Sequence, residues 1–231
     1  RQQGQAACRL TRDAIAQHDQ AGRNKTVAQN FDIAPFARGI QRLQATVRSQ
    51  SHPSVSSRAC VRHSNDQLVR NTDWGRFATL FYGILEPVAG RFLYCNAGHN
   101  PPLLAGDGNG PRRLETGGLI IGFAENAQYE EEAISLAPGD YLVIHSDGIT
   151  EAQNESGEEF GEARLEALVL QGRGSAARQL IDHVFAEVSR HAGKAPQTDD
   201  MTLVVIRRLG PADGGGNGPR PPSGGSDRAS P

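Results

Sequence analysis

Two apolar runs, each with a carboxylate at one end, constrain this chain more than any other feature. Tyr141-Leu142-Val143-Ile144 leads into His145-Ser146-Asp147-Gly148-Ile149-Thr150-Glu151-Ala152, and Thr198-Asp199-Asp200-Met201-Thr202 leads into Leu203-Val204-Val205-Ile206. Runs of this length and apolarity read as buried strands. If they are neighbours in one sheet, Asp147 and Asp199 meet at its rim, where two uncompensated carboxylates repel unless a hard cation sits between them. Oxygen donors without His or Cys at ligand spacing suit Mg²⁺ or Mn²⁺ and not Zn²⁺. Such cations acidify water and, as a pair, clamp a phosphoryl group in line with the attacking oxygen. Phosphoester hydrolysis follows as the chemistry, with no covalent nucleophile required.

Plainer readings stand beside these. Asp-Gly is a common turn dipeptide, and Asp199-Asp200 could simply keep a strand edge soluble. Position argues against the turn, because Asp147 is followed by Ile-Thr-Glu-Ala and not by the polar return of a hairpin. His99, in Asn96-Ala97-Gly98-His99-Asn100-Pro101-Pro102, is either a general acid or a turn histidine that orders its loop, the second being the simpler role. His145 lies in an apolar strand and reads as a sheet or core residue. Ser146 sits between His145 and Asp147, but strand neighbours point to opposite faces, so the three cannot form a triad and serine-hydrolase chemistry is rejected. Gly117-Gly118-Leu119-Ile120-Ile121-Gly122 lacks the Gly-Lys-Ser/Thr ending of a phosphate loop and reads as turn glycines.

A chain of 231 residues buries one good core. The formal charge of −2, with Lys and Arg scattered, carries no footprint of nucleic-acid binding. No apolar stretch approaches the roughly twenty residues of a membrane span, and no signal-peptide pattern opens the chain. Cys8, Cys60 and Cys95 are odd in number and too far apart for a zinc knuckle, so a reduced, cytoplasmic setting is expected. Arg1 in place of an initiator Met reads as a fragment or a processed product.

The periodicity predicts a helical layer from Ile40, Leu43 and Val47 and from Val55 to Leu68. A β-hairpin follows, from Phe77 to Leu85 and from Arg91 to Asn96, and then a second pair, Tyr129 to Leu136 and Tyr141 to His145, joined by the Pro138-Gly139-Asp140 turn. Leu165, Leu168 and Val169, then Leu180, Ile181, Val184, Phe185 and Val188, mark two further helices, and a last strand runs from Met201 to about Arg207.

Phe77-Ala78-Thr79-Leu80-Phe81-Tyr82-Gly83, Asn96-Ala97-Gly98-His99-Asn100-Pro101, Ser146-Asp147-Gly148-Ile149-Thr150-Glu151-Ala152, Gly157-Glu158-Glu159-Phe160-Gly161 and Asp199-Asp200-Met201-Thr202 occur in an order that resembles the SpoIIE/RsbU-type, PP2C-like serine/threonine phosphatases of the PPM family. The resemblance runs from about Leu43 to Arg208. It implies an α+β fold, a PP2C-like β-sandwich flanked by helices in α-β-β-α layers, with an incomplete amino-terminal part. It also implies a Mn²⁺ or Mg²⁺ centre, with two ions in an intact site, for which Asp147 and Asp199 match ligand positions, while Asp200 is either a group behind the ligands or an outer ligand. The implied substrate is a phosphoserine or phosphothreonine on a STAS-domain regulatory protein, an anti-anti-sigma factor, in bacterial partner-switching signalling under an upstream sensor domain.

The resemblance departs at the front. Where family members carry an acidic strand and then a Gly-Asp-Val-Ser-Gly-Lys-Gly motif, this chain has Asn30-Phe31-Asp32-Ile33-Ala34-Pro35, in which Asp32 is the remnant that would serve as a third ligand. A truncated or frame-shifted amino terminus accounts for this. The expected organisation is a poorly matching, disordered or mis-framed segment over 1–39, a PP2C-like domain over 40–209 and a disordered Gly/Pro/Ser-rich tail over 210–231. The departure keeps a second class of function open, a catalytically inactive phosphatase-like module that binds a regulatory partner.

Overall fold

A computed structural model describes residues 56–71, 77–106 and 110–210, together with the backbone of 7–8, 25–28 and 31–32. In chain order the elements are β1 (Ala7–Cys8), β2 (Lys25–Ala28), β3 (Phe31–Asp32), α1 (Ser57–Asn71), β4 (Leu80–Glu86), β5 (Arg91–Ala97), β6 (Leu103–Ala105), β7 (Arg112–Arg113), β8 (Gly117–Gly118), β9 (Glu132–Ser135), β10 (Tyr141–His145), α2 (Asp147–Thr150), α3 (Glu162–Gln171), α4 (Ala177–Ala192) and β11 (Leu203–Arg207). The strands form one sheet in the order β2-β4-β5-β8, with β9 also on β5, and a second in the order β11-β10-β6-β7. β1 pairs with β3.

Strand alternation explains why these sheets stack with helices outside them. On one face of β4 and β5, Leu80, Tyr82, Ile84, Cys95 and Ala97 meet Cys60 and Val61 of α1. On the other, Phe81, Phe92 and Tyr94 meet Leu142, Ile144 and Val204 of the second sheet. The remaining face of that sheet, with Tyr141, Val143, Leu203 and Val205, is covered by Leu165, Leu168 and Val169 of α3 and Leu180, Val184 and Val188 of α4. The layers are therefore α-β-β-α, as expected. Among the described residues no helix is long and apolar enough to cross a membrane.

The Phe77-to-Asn96 hairpin forms in register from Leu80↔Ala97 to Glu86↔Arg91. The second expected pair does not form. β9 joins β5, whereas β10 lies between β6 and β11 in the other sheet. The reason is that Ile134 and Leu136 face the same inter-sheet core as Leu142 and Ile144, so the Pro138-Gly139-Asp140 turn carries the chain across the edge of the sandwich. Asp140 Oδ2 accepts the Ala137 N–H at 2.7 Å, and the turn is pinned to the end of β11 by Gly139 N–H to Arg208 O, 2.7 Å, and Arg208 N–H to Asp140 O, 3.0 Å.

Gly117 and Gly118 are also not turn glycines. They form β8, parallel to Asn96 and Ala97, and a Cβ on Gly117 would fall on the Asn96 carbonyl. The helix expected over 55–68 is α1, displaced toward the carboxyl end. Its start is set by Glu131 Oε2, which accepts hydrogen bonds from Ser57 Oγ and the Arg58 N–H, both at 3.0 Å. Asn65, fully buried on α1, holds the following loop by donating to Ala124 O and accepting the Gly122 N–H. The expected helix at Ile40 to Val47 and the expected tail lie outside the described residues.

Gly83 faces the inter-sheet core, and a Cβ there would overlap the Phe92 ring. Gly83→Ala is expected to destabilise the domain by about 1–3 kcal/mol through overpacking. Urea unfolding checks this, and the penalty should shrink in the Gly83→Ala/Phe92→Leu double variant.

Candidate metal centre

The pairing of β10 with β11 runs from Tyr141↔Arg207 to His145↔Leu203, so both strands end at the same rim. One further rung follows, with Ser146 N–H donating to Thr202 O at 3.0 Å. The Ser146 hydroxyl then joins the two chains beyond the sheet. It accepts the Thr202 N–H at 2.8 Å and donates to Asp200 O at 3.0 Å. Asp147 begins α2 on one side of this staple, and Asp199 and Asp200 lie on the other. Gly148 makes the approach possible, since a Cβ there would stand 2.5 Å from Asp200 O.

The carboxylates are ordered locally. Asp147 Oδ1 accepts the Gly148 N–H at 3.0 Å, Asp199 Oδ1 accepts the Asp200 N–H at 2.7 Å, and Gln197 Nε2 donates to Asp199 O at 2.7 Å. Among the described residues, no Lys or Arg forms an ion pair with Asp147, Asp199 or Asp200. Gln197, Thr198, Asp199 and Asp200 line an open concavity at this rim. The field there is negative enough to act on Glu151, whose carboxyl is held above the usual range by burial and then by the charges of Asp147, Glu159 and Asp199.

These donors fit a hard divalent cation in kind: they are carboxylate oxygens, they come from adjoining strand ends, and no described cation compensates them. They do not complete a coordination shell. Among the described residues no group of three or more His, Cys, Asp or Glu side chains is assembled to hold a metal ion. Asp32, the expected third ligand, contributes its backbone to β3 opposite Ala7, and its side chain lies outside the described part.

The two histidines are wall residues. His99 is buried, with its N–H donating to Asn96 Oδ1 at 2.8 Å and its carbonyl accepting from Asn96 Nδ2 at 3.0 Å. Its Nδ1 lies 2.9 Å from Asn100 O. Burial pushes its pKa down to about 4, helped by His145 and opposed by the Asn100 carbonyl and the Asp147 charge. The bonds of His99 to Asn96 and the approach of its Nδ1 to Asn100 O tie down the Asn96–Asn100 turn, as the loop-ordering role requires. His145 is likewise buried and its pKa is lowered, chiefly by burial, with Nδ1 3.2 Å from Ser146 O.

The sequence reading missed three contributions: the staple made by Ser146, and the carboxylates of Glu151 and Glu159 that share the field of Asp147 and Asp199. A hydroxyl immediately before the Asp-Gly step was the available signal for the first. Glu151 stands one helical turn after Asp147, a spacing that brings like charges together on one face.

The family model described as stage II sporulation protein E (SpoIIE) matches residues 37–209. Protein IcfG of Synechocystis sp. is 31% identical over 149 residues, covering 64% of this chain and 23% of that protein. Phosphoserine phosphatase RsbU of Bacillus subtilis is 30% identical over 159 residues, covering 68% of this chain and 45% of that protein. The chain thus spans less than half the length of either relative. Among solved structures, the PP2C domain of SiaA from Pseudomonas aeruginosa superposes with a TM-score of 0.67 at 17% identity, over 82% of this chain and 78% of that one.

Two outcomes follow from the geometry. Ser146→Ala removes the hydrogen bonds of the staple to Asp200 and Thr202 and is expected to cost about 0.5–1.5 kcal/mol in urea unfolding, with Ser146→Thr largely retaining the native value. For His99, whose ordinary value is 6.5, the folded pKa is depressed, so the unfolded chain binds the extra proton. Stability is then full above pH 6.5 and falls as pH drops toward about 4, by at most about 3 kcal/mol. Unfolding midpoints across this window should slope less in His99→Gln than in the wild type.

Proposed function

Because the chain belongs to the SpoIIE family, we propose that it is the catalytic domain of a metal-dependent protein serine/threonine phosphatase. Its substrate is a phosphoserine or phosphothreonine on a regulatory protein, a STAS-type anti-anti-sigma factor in bacterial partner switching. The observation that carries this reading is the stapled rim of β10 and β11, which brings Asp147 and Asp199 together with no described cationic partner. The matched family and the phosphoserine phosphatase name of one relative support the same chemistry.

The electrostatics make a cation a requirement of the reaction. A phosphoryl group is anionic, and Asp147, Glu151, Glu159 and Asp199 share one negative field, so the bare rim repels its own substrate. Asp147 and Asp199 would hold a Mn²⁺ or Mg²⁺ ion, with Asp32 as a third donor and Asp200 in an outer position. When bound, such an ion acidifies water and offsets charge on the phosphoryl group, and a second ion adds an in-line clamp. The chain's own residues prepare the place. Ser146 fixes the separation of the two carboxylate-bearing segments, Gly148 lets the backbone of α2 approach Asp200, and neutral His99 and His145 wall the rim without adding positive charge that would compete for the carboxylates.

The altered front of the chain, where Asp32 stands alone, favours a second reading, a partner-binding module without hydrolysis. Calorimetric titration with Mn²⁺ separates the two, because tight binding at two sites contradicts an inactive module. For the enzyme, Asp147→Asn is expected to lower Mn²⁺-dependent phosphate release from a phosphoserine protein by more than about a hundredfold, as removal of a group acting on the transition state does. Equal release by the variant rejects the assignment of Asp147.

A further inference from the structure

Beside the acidic rim lies a pocket of about 290 Å³ that the phosphoryl chemistry does not use. Its floor is apolar, made by Ala152 from the segment after α2, Phe185 and Val188 on α4, and Met201 at the entry to β11. Its rim is polar. Gln197 and Thr198 line both this pocket and the acidic concavity, so the two open onto one continuous strip of the loop that carries Asp199. We propose that this pocket is a specificity subsite that takes one large apolar side chain of the phosphoprotein substrate, two or three residues from the phosphoserine. The inference rests on the phosphatase reading and adds to it the residue that the substrate must present.

Size, spacing and chemistry select that occupant. A volume of this order lies at the lower end of ligand-sized sites, suited to a single side chain and not to a helix face. Met201 and Asp199 are two positions apart in the sequence, so their Cα atoms are at most about 7 Å apart and the pocket adjoins the rim within the reach of two or three residues of an extended peptide. A leucine or methionine side chain therefore reaches the floor while the phosphoserine occupies the rim. Met201 is partly exposed and its unbranched thioether adjusts to the guest, while the walls are held in place. On one side Lys194 N–H donates to Glu155 Oε1 at 3.1 Å, and on another His191 Nε2 lies 2.9 Å from Glu158 O, so the end of α4 is fastened to the 153–161 segment. A polar residue at the same substrate position would leave its hydrogen-bonding groups facing Phe185 and Val188, which costs binding.

Met201 is the chain's sole methionine and supplies a direct probe, because a ¹³C-labelled ε-methyl gives one resonance from the pocket floor. Gly-Ser-background peptides carrying a non-hydrolysable phosphonate in place of the phosphoserine phosphate, with leucine walked through each position on either side of it, are titrated against the labelled protein with Mg²⁺, which offsets the charge of the rim. The corresponding phosphoserine peptides are then compared as substrates with Mn²⁺, alongside p-nitrophenyl phosphate. Leucine at one position, two or three residues from the phosphoserine, is expected to shift the methyl resonance and to raise kcat/KM by about tenfold, through KM. Ser189→Trp, an exposed α4 position on the pocket rim, fills the space and should abolish the methyl shift and the leucine-to-serine ratio of kcat/KM. A flat leucine scan with an unmoved resonance, or an advantage that survives Ser189→Trp, overturns the subsite. Absence of turnover of every substrate by the wild type overturns the phosphatase reading instead, and the methyl titration, which needs no turnover, still decides the pocket.

Discussion

The register between β10 and β11 is the constraint on which the site depends. Both faces of this strand pair are apolar: Leu142, Ile144 and Val204 look into the sandwich, while Tyr141, Val143, Leu203 and Val205 look toward α3 and α4. A one-residue slip would exchange these sets, and alternation of polarity cannot forbid it when both destinations are greasy. Polar clamps at the two ends supply the missing specification. At one end Ser146 ties Thr202 and Asp200; at the other, Gly139 and Asp140 exchange backbone hydrogen bonds with Arg208. The clamp nearer the rim also sets where the segment of Asp147 stands relative to that of Asp199, so the device that fixes the register fixes the candidate site.

That arrangement has an electrostatic cost. Several carboxylates occupy one rim, and the histidines nearest to it are kept neutral by burial. A protein concerned with stability alone would place a Lys or Arg there, as it does on its outer surface, where Arg113 bridges Glu162 and Glu166 between β7 and α3. Concentrated like charge without such a partner is what a cation-binding rim requires and a purely structural one avoids.

The parts of the fold that were legible in the sequence are those where a single run settles its own fate. Tyr141 to Ile144 and Leu203 to Ile206 are too apolar to be anything but buried strands, and Asp147 and Asp199 stand out because each closes such a run. The helical stripes of α3 and α4 were equally plain. Legibility failed where a residue's role is decided by a partner distant in sequence. Ile134 and Leu136 look like one arm of a hairpin with Tyr141 to His145 until the two sheets compete for them. Gly117 carries no side-chain signal at all, and only the nearness of Asn96 makes a strand of it. Ser146 was weighed as a nucleophile because its chain neighbours are His and Asp, whereas its partners are Asp200 and Thr202 across the strand pair. Asp32 belongs to the part of the chain where neither motif nor described side chain decides its role.

The segment Gln197 to Met201 concentrates three duties in five residues. It carries Asp199, it receives the Ser146 staple through the Asp200 carbonyl, and it lines the apolar pocket through Gln197, Thr198 and Met201. Both of its ends are held: toward β11 by the pairing of Leu203–Arg207 with β10, and toward α4 by the Lys194 N–H bond to Glu155 Oε1. If the pocket takes a substrate side chain as proposed, that guest and the carboxylate of Asp199 would bear on one short segment, and recognition of the substrate would be coupled to the placement of that carboxylate.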